Sequence, residues 1–174
     1  MSKVTTGKVR ASYVNVFKPR LNDLSNKEEY SMVILIPKTD KKTVDALNDA
    51  IQEKVAAKWG AKPPLKMRLP LRDGDEEKPG DEAYENHYFM TVKTYDRPGI
   101  IDRNMQDVLD ESEFISGDYC RCTINASAYD VKGNRGVSFW LNNVQILCKG
   151  EPLTSKARAI NEFSQWTDDD DDLL

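Results

Sequence analysis

Histidine and cysteine, which build most catalytic and metal-binding centres, are scarce in this chain. Among 174 residues there is one histidine, His87, and there are three cysteines, Cys120, Cys122 and Cys148. This set does not supply a plausible zinc site, and three cysteines cannot all pair in a disulfide framework. We therefore expect no catalytic residue, no metal and no cofactor, and a reducing cytosolic setting.

Long apolar runs are also missing. No segment approaches the roughly 18 apolar residues that a membrane-spanning helix requires, and the N-terminal sequence has no apolar stretch of the signal-peptide kind. A glycine-rich phosphate loop of the form G-x-x-x-x-G-K-[ST] is absent as well. These absences argue against membrane insertion and against P-loop chemistry.

The chain does have a concentration of acid at its end. Five adjacent carboxylates repel one another and cannot be desolvated without partners. We expect a mobile, solvated arm, which is either a solubility tail or an arm that contacts a basic surface. The residues of this predicted docking tail are Asp168, Asp169, Asp170, Asp171, Asp172, Leu173 and Leu174.

Acidic and basic residues are separated along the sequence. The whole chain has 25 basic and 29 acidic residues and a formal net charge of -4. Residues 73–85 contain seven acidic residues and one lysine, among glycine and proline residues that favour a flexible loop. Without this block and the five terminal aspartates, 24 basic and 17 acidic residues remain, a net charge of +7. The folded part is therefore predicted to be basic.

Hydrophobic periodicity predicts strands and one long helix. Apolar patterns typical of strands occupy residues 6–18, 30–36, 87–95, 118–129 and 136–147, and a short strand is possible at 66–71. Between 39 and 59 the apolar period lengthens to three or four residues, which predicts an amphipathic helix capped by Thr39 or Asp40 and ended by Gly60. The sequence thus predicts one mainly β domain at residues 1–153 with one inserted main helix, and a C-terminal segment at 154–174.

Alternation along two of these strands separates a core face from a polar aromatic face. In residues 119–129 the even positions, which begin with Cys120 and Cys122, are apolar, whereas the odd positions carry aromatic, basic and hydrogen-bonding side chains. In residues 87–95, Phe89, Lys93 and Tyr95 share one face. Aromatic rings stack on any nucleobase, and basic groups follow phosphates. The alternative is that these rings pack beneath loops.

Two tryptophans have different predicted environments. Trp59 falls on the apolar stripe of the helix and is assigned to the core. Trp140 follows Phe139 in a strand, so one of the two must face the core and the other must face outwards. The sequence does not decide between them.

Three segments resemble a known family. They are GNRGVSFWLNNVQIL at residues 133–147, followed by GEPL at 150–153, GKVRASY at 7–13, and YSMVILIPK at 30–38. They are similar to segments of the phage OB-fold single-stranded-DNA-binding proteins, over most of residues 6–153. The resemblance implies a five-stranded Greek-key barrel that binds single-stranded DNA without sequence preference.

The resemblance also implies a biological setting. Such a protein acts in phage DNA replication, recombination and repair in the cytoplasm of the host bacterium, and its acidic arm docks replication partners. Many members end in an aromatic residue, whereas this chain ends in Leu173 and Leu174. The identity of the partners therefore does not carry over.

Candidate DNA-binding residues follow from the sorted faces and from the resemblance. The candidates for stacking on bases are Tyr13, Phe89, Tyr95, Tyr119 and Tyr129, and the candidates for phosphate contacts are Lys8, Arg10, Lys93, Arg121 and Arg135. A homodimer is possible if an edge strand stays open. Two alternatives remain: an OB-like interaction or assembly module that does not bind DNA, and a nuclease that holds Mg²⁺ on carboxylates of the 73–85 block.

Overall fold

The computed structural model describes residues 3–153 and 163–168. Within them, a curved sheet surrounds one core and a long helix covers part of it. The strands are β1 Lys3–Thr5, β2 Val9–Asn22, β3 Lys27–Pro37, β4 Arg72–Asp73, β5 His87–Thr94, β6 Gly99–Ile101, β7 Tyr119–Val131 and β8 Asn134–Cys148, and the helices are α1 Lys41–Trp59 and α2 Gly74–Glu77. In the described part of the chain, neither helix is both long and apolar enough to span a bilayer.

Five of the strands close into a barrel. β2 pairs antiparallel with β3, and β3 with β5. β5 then runs parallel to β8, which pairs antiparallel with β7. A short antiparallel pairing of β7 with β2 completes the ring. The predicted mainly β fold with one main helix, an OB-type five-stranded barrel, is therefore confirmed.

The barrel core consists of the inward-facing side chains, which are every second residue along each strand. On β7 the even positions Cys120, Cys122 and Ile124 are buried, as the alternation predicts. Burial raises the pKa of both cysteine thiols, so they behave as small apolar side chains. On β8 it is Phe139 that enters the core, with 1% of its surface exposed.

The predicted helix is confirmed, and its caps explain its limits. Asp40 is the N-cap, because its carboxylate accepts hydrogen bonds from the backbone N–H and the hydroxyl of Thr43. Gly60 ends the helix with a φ of 63°. The side chains of Leu47 and Ile51 are buried in the barrel core, and Trp59 packs against it partly buried.

The short strand that the sequence leaves possible at residues 66–71 does not form as a regular strand. The regular strand β4 lies further along, at Arg72–Asp73, and the predicted segment makes one isolated bridge, between Arg68 and Gly136. Pro70 has no backbone N–H and so interrupts a ladder at this point. Two three-residue strands, β1 and β6, have no clear sequence signal and were not predicted.

The acidic block has more hydrogen-bonded structure than the predicted loop. Asp73 caps the single-turn helix α2, and the backbone N–H of Tyr84 donates to the carbonyl of Asp81. Lys38 pairs with Asp73 and Asp75 at 2.7 Å each. We call residues 74–86 the acidic strap, since they cross the outside of the barrel between β4 and β5.

Candidate nucleic-acid interface

The outer face of β3 and β5 is the surface on which the candidate residues meet. Across the two strands, Leu35 is paired with Phe89 and Ser31 is paired with Lys93. Because side chains alternate, Phe89, Thr91 and Lys93 all point away from the barrel core. This outer face has a covered end near Phe89 and an open end near Lys93.

The open end carries an aromatic–lysine cluster, which consists of Lys27, Lys93, Tyr95 and Trp140. The rings of Tyr95 and Trp140 lie 5.2 Å apart between centroids, with planes inclined by 53°. The Lys27 ammonium lies 5.2 Å from the Tyr95 ring, and the Lys93 ammonium lies 5.5 Å from the Trp140 ring. Tyr95 is 43% exposed. These rings are accessible to a stacking base, and the two ammonium groups are close enough to pair with its phosphates.

One carboxylate sits beside this cluster. Glu29 accepts a hydrogen bond from the Asn22 side chain at 3.0 Å through one oxygen, while its other, buried oxygen lies 3.9 Å from the Lys93 ammonium. That separation is longer than a hydrogen bond, so the ammonium keeps its donors for another acceptor. Glu29 therefore attracts the Lys93 ammonium electrostatically without forming a hydrogen bond to it, and the ammonium can still bind a phosphate.

Tyr13 is turned outwards by an irregularity in β2. The pairing of β2 with β3 shifts register between Ser12 and Asn15, and Tyr13 has a φ of 47°, which is unusual for a residue other than glycine. Its side chain is 68% exposed. A bulge of this kind re-aims a side chain, and here it presents an aromatic ring next to the outer face.

Phe89 lies at the covered end of the outer face and is not an open ring. It is 6% exposed, because Tyr84 of the acidic strap packs against it with ring centroids 5.0 Å apart and planes at 88°. The Arg72 guanidinium lies 5.1 Å from the same ring. In this structure, therefore, Phe89 has no free face for a base.

Tyr119 also has basic side chains close to its ring, but it is not part of the aromatic–lysine cluster. The Lys8 ammonium lies 4.8 Å and the Arg10 guanidinium 5.6 Å from its ring. Arg10 also donates to the backbone carbonyls of Gly117 and Glu151, at 3.0 and 2.5 Å. Arg10 therefore has a structural role, because these two hydrogen bonds connect the segment after β8 to the barrel.

The remaining candidates lie on β7, β8 and their hairpin. The Tyr129 ring packs over Gly136, where an added Cβ would meet its hydroxyl. Arg121 donates to the side chain of Gln145 at 2.6 Å, and Arg135 pairs with Asp130 at 3.1 Å. None of these contacts joins them to the aromatic–lysine cluster. In the tail, Asp168 is described and exposed, whereas Asp169, Asp170, Asp171, Asp172, Leu173 and Leu174 lie outside the described residues.

Two members of the aromatic–lysine cluster were not among the predicted site residues. Trp140 was left undecided by the sequence, and the structure shows it on the outer face of β8, opposite Lys93 of β5. Lys27 begins β3 and reaches the cluster through the β2–β3 hairpin, which no local pattern predicts. The signal that could have found Trp140 is the stronger apolar character of Phe139, its neighbour in the strand.

The carboxylates proposed as an alternative metal site have a cation of their own. Hydrogen bonds from Lys38 are the largest cause of the lowered pKa of both Asp73 and Asp75, and they raise the pKa of Lys38. An ammonium between the two carboxylates occupies the space a metal ion would need. Among the described residues, no group of three or more acidic, histidine or cysteine side chains is arranged to hold a metal ion.

Comparison with known structures places the barrel among phage proteins. The structure of the single-stranded DNA-binding protein from bacteriophage Enc34 in complex with ssDNA matches with a TM-score of 0.79 at 19% identity, over 88% of this chain and 90% of that chain. The crystal structure of gp2.5, a single-stranded DNA binding protein encoded by bacteriophage T7, matches with a TM-score of 0.62 at 16% identity, over 99% of this chain and 94% of that chain. These likenesses show a shared fold.

Sequence comparison gives the family. Protein p50 of Acyrthosiphon pisum secondary endosymbiont phage 1 is 27% identical in an alignment that covers 92% of this chain and 92% of that protein. A family model described as Enterobacter phage Enc34, ssDNA-binding protein matches residues 2–174. Because this match spans nearly the whole sequence, the chain belongs to the Enc34 phage ssDNA-binding protein family.

Proposed function

We propose that this protein binds single-stranded DNA without sequence preference, through the aromatic–lysine cluster at the open end of the outer face. The observation that carries the proposal is the contact of Tyr95 with Trp140, with a lysine ammonium about 5 Å from each ring. Membership of a family named for ssDNA binding supports the same function.

The chemistry of such a site is binding and not catalysis. Stacking of a base on Tyr95 or Trp140 contributes about 1–3 kcal/mol and accepts any base, since every base has a π face. Lys27 and Lys93 pair with the phosphates on either side of the stacked base and release counterions as they do so. Affinity should therefore be insensitive to sequence and should fall steeply with salt.

The first experiment measures the fluorescence anisotropy of a labelled oligo-dT over a salt series. We expect tight binding at low salt and a linear fall of log affinity with log salt concentration, and the Lys93→Met variant should reduce that slope by about 0.7 for one lost phosphate contact. A protein that does not bind at low salt, even after removal of residues 168–174, would contradict the proposal and favour an assembly module.

A second measurement tests where single-stranded DNA binds on the protein. In the Trp59→Phe/Trp166→Phe variant, Trp140 is the single tryptophan of the chain, so its fluorescence reports on the cluster. Stacking on DNA should quench this emission in proportion to the anisotropy change. Binding without any change in Trp140 emission would place the DNA elsewhere on the molecule.

The wider role is part of the proposal. We infer that the protein acts in phage replication, recombination and repair in the cytoplasm of the host bacterium, and that the tail at residues 168–174 docks replication or recombination proteins. The acidic run supports docking because it suits a basic partner, and the two leucines suit an apolar pocket. A homodimer is a further possibility, which light scattering at several protein concentrations would test.

A further inference from the structure

We propose that Phe89 and Leu35 form a second nucleobase-stacking site, which the acidic strap closes in the free protein and a bound single strand opens. This inference rests on the proposed function, because it extends the same outer face. It concerns the covered end of that face, where Phe89 has no free surface in the present structure.

The covered and open ends belong to one continuous surface. Phe89, Thr91 and Lys93 follow one another on the outer side of β5, and their partners on β3 are Leu35, Val33 and Ser31. Four residues of a strand span about 13 Å, so Phe89 is a few nucleotides away from the aromatic–lysine cluster on an extended strand. DNA that runs along β5 from the cluster reaches the acidic strap.

The acidic strap places on the outer face the same kinds of groups that a bound DNA strand would place there. The rings of Tyr84 and Phe89 meet edge to face, and Tyr84 packs in one apolar cluster with Phe89 and Leu35, which is 0% exposed. Burial is the main cause of the raised pKa of Tyr84. Around this ring, Asp81, Glu82 and Glu85 are exposed to solvent. An aromatic ring on the apolar site, with carboxylates around it, resembles a base with its phosphates.

The strap is held at its two ends, so its middle can lift without unfolding the barrel. At the first end, Lys38 pairs with Asp73 and Asp75. At the other end, the backbone N–H of Asn86 donates to the Asp75 carboxylate at 2.9 Å. An added Cβ at Gly74 would clash with the carbonyl oxygens of Tyr84 and His87, so the backbone of Tyr84 belongs to the second anchor, and it is the Tyr84 side chain that turns away from Phe89 as residues 78–83 lift. Between these anchors, the strap contacts the sheet through the pairing of Glu77 with the Arg72 guanidinium and through the apolar cluster of Leu35, Tyr84 and Phe89.

Hydrogen–deuterium exchange of the full-length protein with and without oligo-dT tests the opening directly. We expect the amides of residues 78–85 to exchange faster in the DNA complex, because lifting breaks the hydrogen bonds of Lys78 with Gly74 and of Tyr84 with Asp81. The β7–β8 ladder is the internal control and should not exchange faster. Slower or unchanged exchange in residues 78–85, in samples where anisotropy shows bound DNA, would overturn the inference. Samples without bound DNA would overturn the proposed function itself.

A charge variant tests the competition. Glu82→Gln/Glu85→Gln removes two exposed charges from the strap, and the matched control Asp45→Asn/Asp49→Asn removes two exposed charges from α1. We expect the strap variant to bind oligo-dT about threefold tighter or more at low salt and the control to change little, since repulsion acts within a Debye length of about 10 Å. Equal effects of the two variants would mean a general charge effect and would overturn the inference.

Discussion

At the scale of single residues, the surroundings of an aromatic ring decide what the ring can bind. Phe139 and Trp140 are neighbours on β8, yet Phe139 is 1% exposed in the barrel core, while Trp140 lies on the outer face with Tyr95 and the Lys93 ammonium. A ring enclosed by apolar groups stabilises the fold, whereas a ring with cations and solvent around it can accept a base and its phosphate.

Replacing Trp140 with leucine should weaken binding to oligo-dT while the fold is kept. Loss of one stacked base costs about 1–3 kcal/mol, or about 5- to 150-fold in affinity. Trp166→Leu is the matched control, since it removes an indole that is 59% exposed and outside the barrel. Anisotropy measures affinity, and circular dichroism melting checks the fold. Equal losses in the two variants would contradict a specific role for Trp140.

Arg10 differs from Lys93 although both were predicted as phosphate contacts. Its two hydrogen bonds to the carbonyls of Gly117 and Glu151 fix the chain after β8. We expect Arg10→Met to lower the free energy of unfolding by about 1.5–3 kcal/mol, the usual range for hydrogen bonds to a charged group. The salt dependence of DNA binding should stay as in the original protein. Urea unfolding and an anisotropy salt series measure the two effects, and a reduced salt slope without loss of stability would reverse the assignment.

At the scale of elements, the acidic strap depends on ion pairs that have a defined pH range. Hydrogen bonds from Lys38 hold the pKa of Asp73 and Asp75 below the ordinary value. Carboxylates with a lowered pKa stabilise the folded state above the unfolded pKa, which is about 3.9 for aspartate, and this contribution is lost as the pH falls through the lowered values. The raised pKa of Lys38 keeps it charged throughout this range.

Lys38→Met should therefore lower the melting temperature by a constant amount near neutral pH, and the difference from the original protein should shrink below about pH 4. Lys18→Met is the matched control, because Lys18 forms a 3.5 Å ion pair with Glu111 in which both side chains are largely exposed. Such a pair contributes about 0–1 kcal/mol. Melting temperatures measured from acidic to neutral pH test this prediction. A difference that does not shrink at acidic pH would show that the ion pairs of the strap do not cause it, and no difference at any pH would show that they do not contribute to stability.

The elements also show what local sequence patterns can and cannot predict. α1 and the even positions of β7 were predictable, because periodicity and caps act over a few residues. The packing of Tyr84 over Phe89 was not predictable, because it depends on how the whole strap folds. An alternating pattern alone does not distinguish a covered face from an open one. Lys27 was missed for the same reason, because its contact with Tyr95 joins the start of β3 to the residue that follows β5.

At the scale of the whole molecule, the segment that follows β8 lies beside the acidic strap. Arg10 and the segment 151–153 line a groove with residues 79–83 of the strap. Leu153 packs against the cluster of Leu35, Tyr84 and Phe89, and its backbone N–H donates to Ser116. The chain therefore leaves the barrel at the covered end of the outer face. Asp168 lies 15 positions after Leu153 in the sequence, and such a length can span at most about 50 Å.

Removal of residues 168–174 should tighten binding to oligo-dT. The outer face presents the lysines of the cluster, and a tethered run of five aspartates competes for them at a high effective concentration. The gain should be largest at low salt and should fade as the Debye length shrinks from about 10 Å at 0.1 M to about 3 Å at 1 M. An anisotropy salt series on the shortened and full-length chains measures this difference.

Two full-length variants separate the charge of the tail from its apolar tip. Replacing all five aspartates, from Asp168 to Asp172, with asparagine should reproduce the tighter binding of the shortened chain, because only carboxylates compete with phosphates. Leu173→Ser/Leu174→Ser should leave DNA affinity unchanged, because these side chains carry no charge. If the shortened chain binds DNA as the full-length chain does at every salt concentration, the tail does not compete with DNA. Its proposed action is then limited to partner docking, in which the two leucines provide the apolar anchor.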